Sequence, residues 1–535
     1  MDDQYDYIVV GAGSAGCVLA GRLSEDPGTR VLLLEAGPPD RSIWIHLPIG
    51  YGKTMWDTRY NWCFHTDPEP HMNGRRLYWP RGKTLGGSSA INGLIYVRGQ
   101  REDYDHWRAL GNTGWGYDDV LPYFIRSECN DRGGGPFHGG AGPLRVSDIA
   151  HRHVLIDAFV DGAASLGVPR NDDFNGGTQE GAGYFQLTTH KGWRSSAATA
   201  YLKPVRHRPN LRVETSAYAT GLLLNGRRAT GVSYRQNGRN VDAHCTREVL
   251  LAAGAIQSPQ LLQLSGIGPA ACLAQHGVNV VHDLPGVGEN LQDHLQVRLV
   301  YECTQPITTN DDLRSITGRI KIGLQWLFAR RGPLAVGINQ GGCFMTALGS
   351  ESTTPDIQFH VATLSADVAG GVVHRFSGFT LSICQLRPAS RGRVAISSRD
   401  PMQPPSMRPN YLSEPIDRRT TVSGMRVARA IAGSAPMRPF VRCEVSPGPQ
   451  AVDDDALLEF ARDRGATIFH PSGTCKMGND RLAVVDARLR VHGIACLRVV
   501  DCSIMPTLVS GNTNAPVIMI AEKAVDMIRE DSARE

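Results

Sequence analysis

Three glycines and one acidic residue near the N-terminus form the first pattern that could bind a ligand. An apolar run over residues 7–10 predicts a buried strand, and a second run over 31–34 ends at Glu35. A helix between these strands would offer free N–H groups to phosphates, and the acid would accept hydrogen bonds from ribose hydroxyls. The pattern predicts a dinucleotide site and leaves NAD and FAD open. Gly11 permits a tight turn, Gly13 lets a pyrophosphate approach the backbone, and Gly16 lets the helix pack closely against the strand.

The composition excludes several other classes of protein. The 535 residues are 41% hydrophobic and 20% charged, an ordinary balance for a folded chain. The net charge of +4 is spread over 56 basic and 52 acidic residues without a basic run, so we expect no nucleic-acid partner. Twelve cysteines without a CxxC pair indicate neither a metal site nor a disulfide framework. Because no signal peptide or long apolar stretch is evident, we expect a cytoplasmic protein, at most peripheral to the inner membrane.

Apolar runs place further elements along the middle of the chain. Residues 211–213, 221–224 and 231–234 predict strands of a small sheet, and 249–253 predicts another buried strand. A helix is expected to begin at Ser258-Pro259, since proline suits the first helical turn.

The segment from about 300 to 475 differs in character and predicts a second domain that mixes helices and strands. A last strand over 497–500 and a helix over 516–529 then close the chain. Within the second domain the pattern predicts helices near 316–330 and 416–432, and strands around 379–386 and 392–396.

Five further segments make the chain similar to a known family. Residues 80–93 (Pro-Arg-Gly-Lys-Thr-Leu-Gly-Gly-Ser-Ser-Ala-Ile-Asn-Gly) and 254–268 match two signatures of the glucose-methanol-choline (GMC) oxidoreductases. Residues 287–294, 470–474 and 511–516 resemble other hallmarks of that family, in the family's order. Within the family, the chain resembles the choline-dehydrogenase-like bacterial alcohol dehydrogenases.

The resemblance implies FAD as the cofactor, held by residues from both ends of the chain. The ADP half would contact Gly11, Gly13, Ser14, Gly16, Glu35 and Ala36, with an adenine-side backbone contact from Tyr218 or Ala219. The ribityl chain and isoalloxazine would lie against Gly82, Gly86, Gly87, Ser88, Asn92, Gly93 and Ile95, with Asp501, Asn512 and Thr513 near the pyrophosphate, ribityl or pyrimidine end.

The implied fold is α/β with an α+β second domain. A Rossmann-like FAD-binding domain would be discontinuous, and a mixed-sheet domain would bind substrate. The predicted limits are 1–155, 201–297 and 478–535 for the first domain, and 156–200 and 298–477 for the second.

One residue departs from the pattern of those relatives that tether FAD covalently. Their tethering histidine stands one position before the Asn of the first signature, where this chain has Ile91 before Asn92. An isoleucine cannot form that bond, so the resemblance implies non-covalent FAD.

His470 and Asn512 are the catalytic residues that the resemblance implies. A neutral imidazole can take the hydroxyl proton of an alcohol while the carbon gives hydride to flavin N5. The amide of Asn512 would donate to the alcohol oxygen and orient the substrate. A helix that begins near Pro516 would point its positive N-terminus at the reduced flavin.

The substrate side is less defined by the sequence. Four aromatic residues are candidates for the pocket, although aromatic side chains also build cores: Trp62, Phe344, Phe359 and Phe469.

The favoured function is oxidation of a primary alcohol, with a quinone or other acceptor taking the electrons. Bulk at Ile468 and Phe469 is expected to restrict O2. An oxidase of alcohols or choline that uses O2, a hydroxynitrile lyase and a photodecarboxylase remain alternatives, although no carboxylate and aromatic cage for choline is evident.

Overall fold

The computed structural model describes residues 4–347, 349–368 and 370–534. The strands of its two large sheets, numbered in chain order, are β1 (Gln4–Val10), β2 (Val31–Leu34), β3 (Gly181–Tyr184), β4 (Leu211–Glu214), β5 (Ala217–Asn225), β6 (Arg228–Gln236), β7 (Arg239–Leu251), β8 (Leu295–Cys303), β9 (Asn339–Met345), β10 (Ile357–Ala362), β11 (Gly378–Gln385), β12 (Val441–Ser446), β13 (Ala466–Thr467) and β14 (Leu497–Val499).

The longer helices are α1 (Ser14–Leu23), α2 (Arg101–Ala109), α3 (Tyr117–Ser127), α4 (Val154–Ser165), α5 (Gly254–Leu264), α6 (Ile316–Ala329), α7 (Pro415–Ala432), α8 (Asp454–Arg464) and α9 (Asn514–Ser532). Four short helices lie between them: Ile43–His46, Tyr51–Thr54, Ala270–Gln275 and Thr309–Arg314. Short strands pair two by two: Phe64–His65 with Tyr78–Trp79, Glu128–Asn130 with Leu144–Val146, Thr189–His190 with Trp193–Arg194, Ile267–Gly268 with His282–Asp283, and Arg393–Ala395 with Ser406–Arg408. The helices predicted for α6, α7 and α9 are confirmed to within a few residues.

The first sheet is built around parallel strands. β1 pairs with β2 and β7, and β2 pairs with β4. All four residues of β2 are buried, as expected for a strand that is covered on both faces. β6 and β5 extend the sheet antiparallel from β7, and β14 pairs parallel with the C-terminal part of β7. The predicted α/β class is confirmed.

The strands around residues 211–234 do not form a small sheet of their own, which corrects the prediction. β4 joins the parallel edge at β2, whereas β5 and β6 join the antiparallel edge at β7. An apolar run identifies a strand, but the choice of partner depends on contacts that are distant in the chain.

The second sheet is antiparallel in every pairing within the described ranges, rather than mixed. Its order is β12-β8-β11-β10-β9-β3, with β13 also on β8. Side chains alternate, so Ile357, Phe359 and Val361 of β10 enter a core shared with α4 and α7. The other face of the sheet is free to line a site. The predicted domain boundary at 297/298 falls inside β8, and the domain limits stay a prediction.

Helix α5 begins earlier than the sequence indicates, which corrects its predicted start at Ser258-Pro259. It starts at Gly254, and Pro259 lies inside it. Proline lacks an N–H group, so the Ala255 carbonyl loses its helical partner. The Thr474 hydroxyl donates to that carbonyl at 2.6 Å instead, which ties the 470–474 segment to the helix. No helix among the described residues is long and apolar enough to cross a membrane.

Candidate active site

A cavity of about 860 Å³ extends from the carboxyl ends of β1 and β2 to the polar face of the second sheet. Most of the predicted cofactor residues line it: Gly11, Gly13, Ser14, Glu35, Ala36, Gly82, Gly87, Ser88, Asn92, Gly93, Ile95, Tyr218, Ala219, Asp501, Asn512 and Thr513. The structure therefore brings together segments from both ends of the chain. His470, Trp62 and Phe469 also line the cavity.

Two predicted cofactor residues, Gly16 and Gly86, do not line the cavity but shape the loops behind it. A Cβ on Gly16 would lie 1.8 Å from the Gly11 carbonyl oxygen, so only glycine lets α1 approach β1 this closely. Gly86 has a φ of +89° and donates its N–H to the Ala12 carbonyl at 2.8 Å. We therefore correct their assignment from cofactor contacts to supports of the glycine loops.

Two helices begin at the cavity without a side-chain cap. α1 follows Gly13 and α9 follows Thr513, and neither of these residues caps its helix. The Ser14 hydroxyl donates to the Asn514 side-chain oxygen at 2.8 Å and joins the two helix starts. Uncapped N–H groups at a helix start suit phosphate oxygens. A dinucleotide such as FAD therefore fits this end of the cavity.

Glu35 lies at the end of β2 and organises the glycine loop. Its carboxylate accepts the backbone N–H groups of Ala12 at 3.0 Å and Gly37 at 2.8 Å. Burial raises the pKa of Glu35 to about 7, although these hydrogen bonds and Lys83 act in the opposite direction. The carboxylate keeps lone pairs for a ribose hydroxyl.

Asp501 lines the cavity, but its carboxylate is already in use. One oxygen accepts from the Gly254 N–H at 2.8 Å and the Ser258 hydroxyl at 2.6 Å, and the other accepts from the Ser503 N–H at 2.8 Å. These bonds fix the start of α5 beside the end of β14. Asp501 is therefore part of the scaffold of the wall.

The backbone at His470 is held in a strained turn. Phe469 has a φ of +73°, a left-handed conformation that is costly for a residue with a Cβ. Arg81 donates to the Phe469 carbonyl at 2.6 Å, and the Asp293 carboxylate accepts the His470 N–H at 2.7 Å. Partners on both sides therefore hold the backbone from which the His470 side chain projects.

The hydrogen bonds behind His470 determine which of its ring nitrogens carries the proton. His294 Nε2 lies 2.9 Å from the Leu386 carbonyl, which can only accept, so Nε2 carries the proton. In neutral His294, Nδ1 must then accept the Nδ1–H of His470, 3.0 Å away. His470 Nε2 is left with its lone pair facing the cavity.

Asn512 lies directly against that lone pair. Its Nδ2 donates to His470 Nε2 at 3.3 Å, and Gln358 Nε2 donates to its Oδ1 at 3.4 Å. Gln358 thus fixes which end of the Asn512 amide faces the imidazole. This order of protons places an acceptor, His470 Nε2, and a donor, Asn512 Nδ2, against each other at the cavity, and a substrate hydroxyl would come between them.

Burial keeps this cluster of histidines uncharged. It lowers the pKa of His294 to about 4 and that of His360 to about 3. The pKa of His470 also lies well below its usual 6.5, first because of burial and then because His294, His360 and Arg81 disfavour a further positive charge. At neutral pH His470 is therefore a free base.

Sequence reasoning missed three polar residues of this site. They are His294, which lies in the 287–294 segment without an assigned role, and Gln358 and His360, which belong to no motif. Both ring nitrogens of His360 are buried, and within the described ranges they have no hydrogen-bond partner. Strand alternation is the signal that could have found the pair, because Gln358 and His360 lie two apart on β10.

Two of the four predicted pocket aromatics do not line the cavity. Phe359 lies on the opposite face of β10 from His360 and packs into the second domain's core. Phe344 is fully buried against Phe174 and Phe185. Their assignment to the substrate pocket is corrected, because alternation and a covering aromatic cluster remove them from the wall.

Comparison with known families finds a match over most of the chain. The GMC oxidoreductase model for the N-terminal part matches residues 5–296, and the model for the C-terminal part matches 388–521. The chain belongs to the GMC oxidoreductase family.

Curated relatives are similar over nearly the whole chain. "Alcohol dehydrogenase [acceptor]" of Pseudomonas putida is 45% identical over 98% of this GMC oxidoreductase and 95% of its own length. "Oxygen-dependent choline dehydrogenase" of Yersinia pseudotuberculosis is 46% identical over 98% of this chain and 94% of its own. Among solved structures, pyridoxine 4-oxidase from Mesorbium loti has a TM-score of 0.89 at 32% identity, covering 98% of this chain and 99% of its own.

Proposed function

We propose that this protein oxidises a primary alcohol to the aldehyde with bound FAD, and that His470 is the base. The observation that carries the proposal is the pair of groups at the cavity, the lone pair of His470 Nε2 and the amide Nδ2 of Asn512. Family membership and the name of the Pseudomonas putida relative support the same chemistry.

The chain's own residues account for proton removal. His470 Nε2 accepts the hydroxyl proton, while its Nδ1–H stays hydrogen-bonded to His294 and spreads the new charge. Asn512 Nδ2 then donates to the oxygen, which becomes more negative as the proton leaves. FAD, when bound, supplies the acceptor for the hydride. His294 and His360 are fully buried behind the base.

Two helix starts, the glycine loops and Glu35 support the assignment of FAD to the far end of the cavity. Gly87 approaches Gly13 so closely that a Cβ on Gly87 would lie 2.6 Å from the Gly13 Cα. This close packing leaves a backbone-lined wall that suits a flat, extended ligand.

Replacement of His470 tests the proposal directly. His470→Ala should keep FAD but slow anaerobic bleaching of the flavin by an alcohol by about 10²–10⁴-fold, the usual contribution of a general base. Asn512→Ala should be milder, because it removes orientation but leaves the base. His151→Ala, at an exposed histidine outside the cavity, is the control. Bleaching by His470→Ala at the wild-type rate would place the base elsewhere.

We also propose a quinone as the electron acceptor and a peripheral position on the membrane. Helix α6 turns Ile322 towards the cavity, while its outer face exposes an apolar stripe that the sequence did not suggest. Basic residues at both ends of α6 would meet anionic headgroups. The stripe consists of Ile316, Ile320, Leu324, Leu327 and Phe328, with exposures of 48–79%.

Vesicle flotation tests the membrane position. The wild type should float with vesicles of an anionic phospholipid, and Ile320→Glu with Leu324→Glu should remove most of that binding. Val452→Glu, at an apolar residue outside α6 that is 69% exposed, should leave the binding unchanged. If the charged variant instead alters self-association and leaves flotation intact, the stripe is a contact between copies of the chain.

The choice of acceptor has its own test. Oxidation of one good alcohol should be clearly faster with a quinone-like dye, anaerobically, than in air without dye. Equal rates, with stoichiometric hydrogen peroxide in air, would identify an oxidase.

A further inference from the structure

The polar face of the second sheet carries a row of three side chains beside the base, two of which, Arg298 and Ser382, have no part in the alcohol chemistry. Arg298 on β8 is paired across the sheet with Ser382 on β11, which is paired with His360 on β10. All three line the cavity. The row lies two residues beyond that of Gln358, whose amide contacts Asn512.

Arg298 is a cation without a partner. Its guanidinium makes no hydrogen bond or ion pair with any residue in the described ranges, 4–347, 349–368 and 370–534. The charge of Arg298 acts on the Tyr51 phenol, but burial raises the pKa of Tyr51 to about 12, so the phenol stays neutral. Its side chain is half-buried and opens to the cavity, and a partly desolvated cation without a counter-ion favours a ligand that supplies an anion.

The neighbouring wall has the wrong charge for a cationic substrate. Among the described residues that line the cavity, the acidic ones are Glu35 and Asp501, and both carboxylates hold backbone N–H groups. Neutral Gln296 stands two residues before Arg298 on the same face of β8. Lys53 and Arg319 add positive charge to the lining.

We propose that Arg298 binds a carboxylate at the end of the substrate remote from its hydroxyl, with Ser382 and His360 as further hydrogen-bonding groups. The substrate class is therefore a hydroxy carboxylate. The row of Arg298, Ser382 and His360 lies one step of two residues along the sheet from Gln358, which contacts Asn512, so the carboxylate and the hydroxyl would occupy neighbouring parts of the cavity. This inference rests on the proposed function for its reaction but not for its binding site.

Activity on matched substrates tests the specificity. 6-Hydroxyhexanoate should have a higher kcat/KM than 1-hexanol, and choline should be poor. Arg298→Gln should lower kcat/KM for 6-hydroxyhexanoate by about 10–100-fold, as expected for one charge-assisted hydrogen bond, and change that for 1-hexanol less than about threefold. Arg298→Lys should recover part of the loss. Arg206→Gln, which removes an exposed cation outside the cavity, is the matched control.

A binding measurement separates this inference from the proposed reaction. Hexanoate, which has no hydroxyl, should perturb the visible spectrum of the FAD-loaded wild type and raise its Tm, whereas hexylamine should not. Arg298→Gln should lose the effect of hexanoate. If alcohols are not oxidised but hexanoate binds through Arg298, the proposed function fails and the anion site stands. Equal kcat/KM for 1-hexanol and 6-hydroxyhexanoate, or hexanoate binding unchanged in Arg298→Gln, would overturn the inference.

Discussion

His470 combines three local constraints, on its backbone, its tautomer and its charge. Asp293 and Arg81 hold the turn around it, and His294 takes its Nδ1 proton as a hydrogen bond. Burial then keeps the ring neutral. A base that is already deprotonated needs no loss of a proton before it can act, so it works over a wide pH range.

The rate of alcohol-dependent flavin bleaching should therefore stay constant from about pH 8 down to about pH 6.5, and fall only at lower pH. The direction of this pH dependence follows from the pKa of His470. Because that pKa lies below its usual value, the base is protonated only at lower pH than a free imidazole. Stopped-flow bleaching across this range measures the acid limb. A midpoint at or above the pKa of a free imidazole would contradict the buried, uncharged histidine cluster.

At the scale of elements, the glycines of the β1–α1 turn have different roles. Gly16 lies where α1 crosses the Gly11 carbonyl, and a Cβ there would overlap it at 1.8 Å. Gly13 has no atom closer than 4.0 Å to an added Cβ and faces the cavity. One glycine therefore serves helix packing, and the other serves the approach of a ligand.

The two alanine variants should separate packing from binding. Gly16→Ala should lower the free energy of unfolding by about 1–3 kcal/mol or more through overpacking, even without FAD. Gly13→Ala should leave the stability of the FAD-free protein nearly unchanged and weaken FAD binding. Urea unfolding of stripped and FAD-saturated protein measures both. A Gly13→Ala variant with normal FAD affinity would remove this residue from the cofactor wall.

At the scale of the whole molecule, the cavity joins a nucleotide end to a reaction end. Ile91 lines it where some relatives carry a tethering histidine. Cys502 is a nearby thiol, but burial raises its pKa to about 12, so it stays protonated and unreactive. Neither residue offers a nucleophile for a covalent bond to FAD.

Acid precipitation should therefore release the flavin. The purified protein should be yellow, and its FAD should appear in the supernatant, because hydrogen bonds and packing are lost on unfolding while a covalent bond would survive. Absorbance of supernatant and washed pellet gives the partition. Flavin that stays with the pellet would show a tether and contradict the role of Ile91.

The sequence by itself determined the parts of this protein that depend on neighbouring residues. The strand over 31–34, the glycine turn and the helices near 316 and 416 follow from periodicity and local backbone requirements. The motif around His470 could be identified because the segment keeps its residues together in the chain.

Only the tertiary structure decided which groups accompany that base. His294 and His470 are 176 residues apart, and Gln358 lies 154 residues from Asn512, so their contacts exist only after the sheets have assembled. The sequence also left open which face of β10 meets the cavity. His360 lies on that face, whereas Phe359 lies on the opposite face, in the core. Strand register and side-chain alternation set these positions, and both depend on pairing between segments that are far apart in the chain.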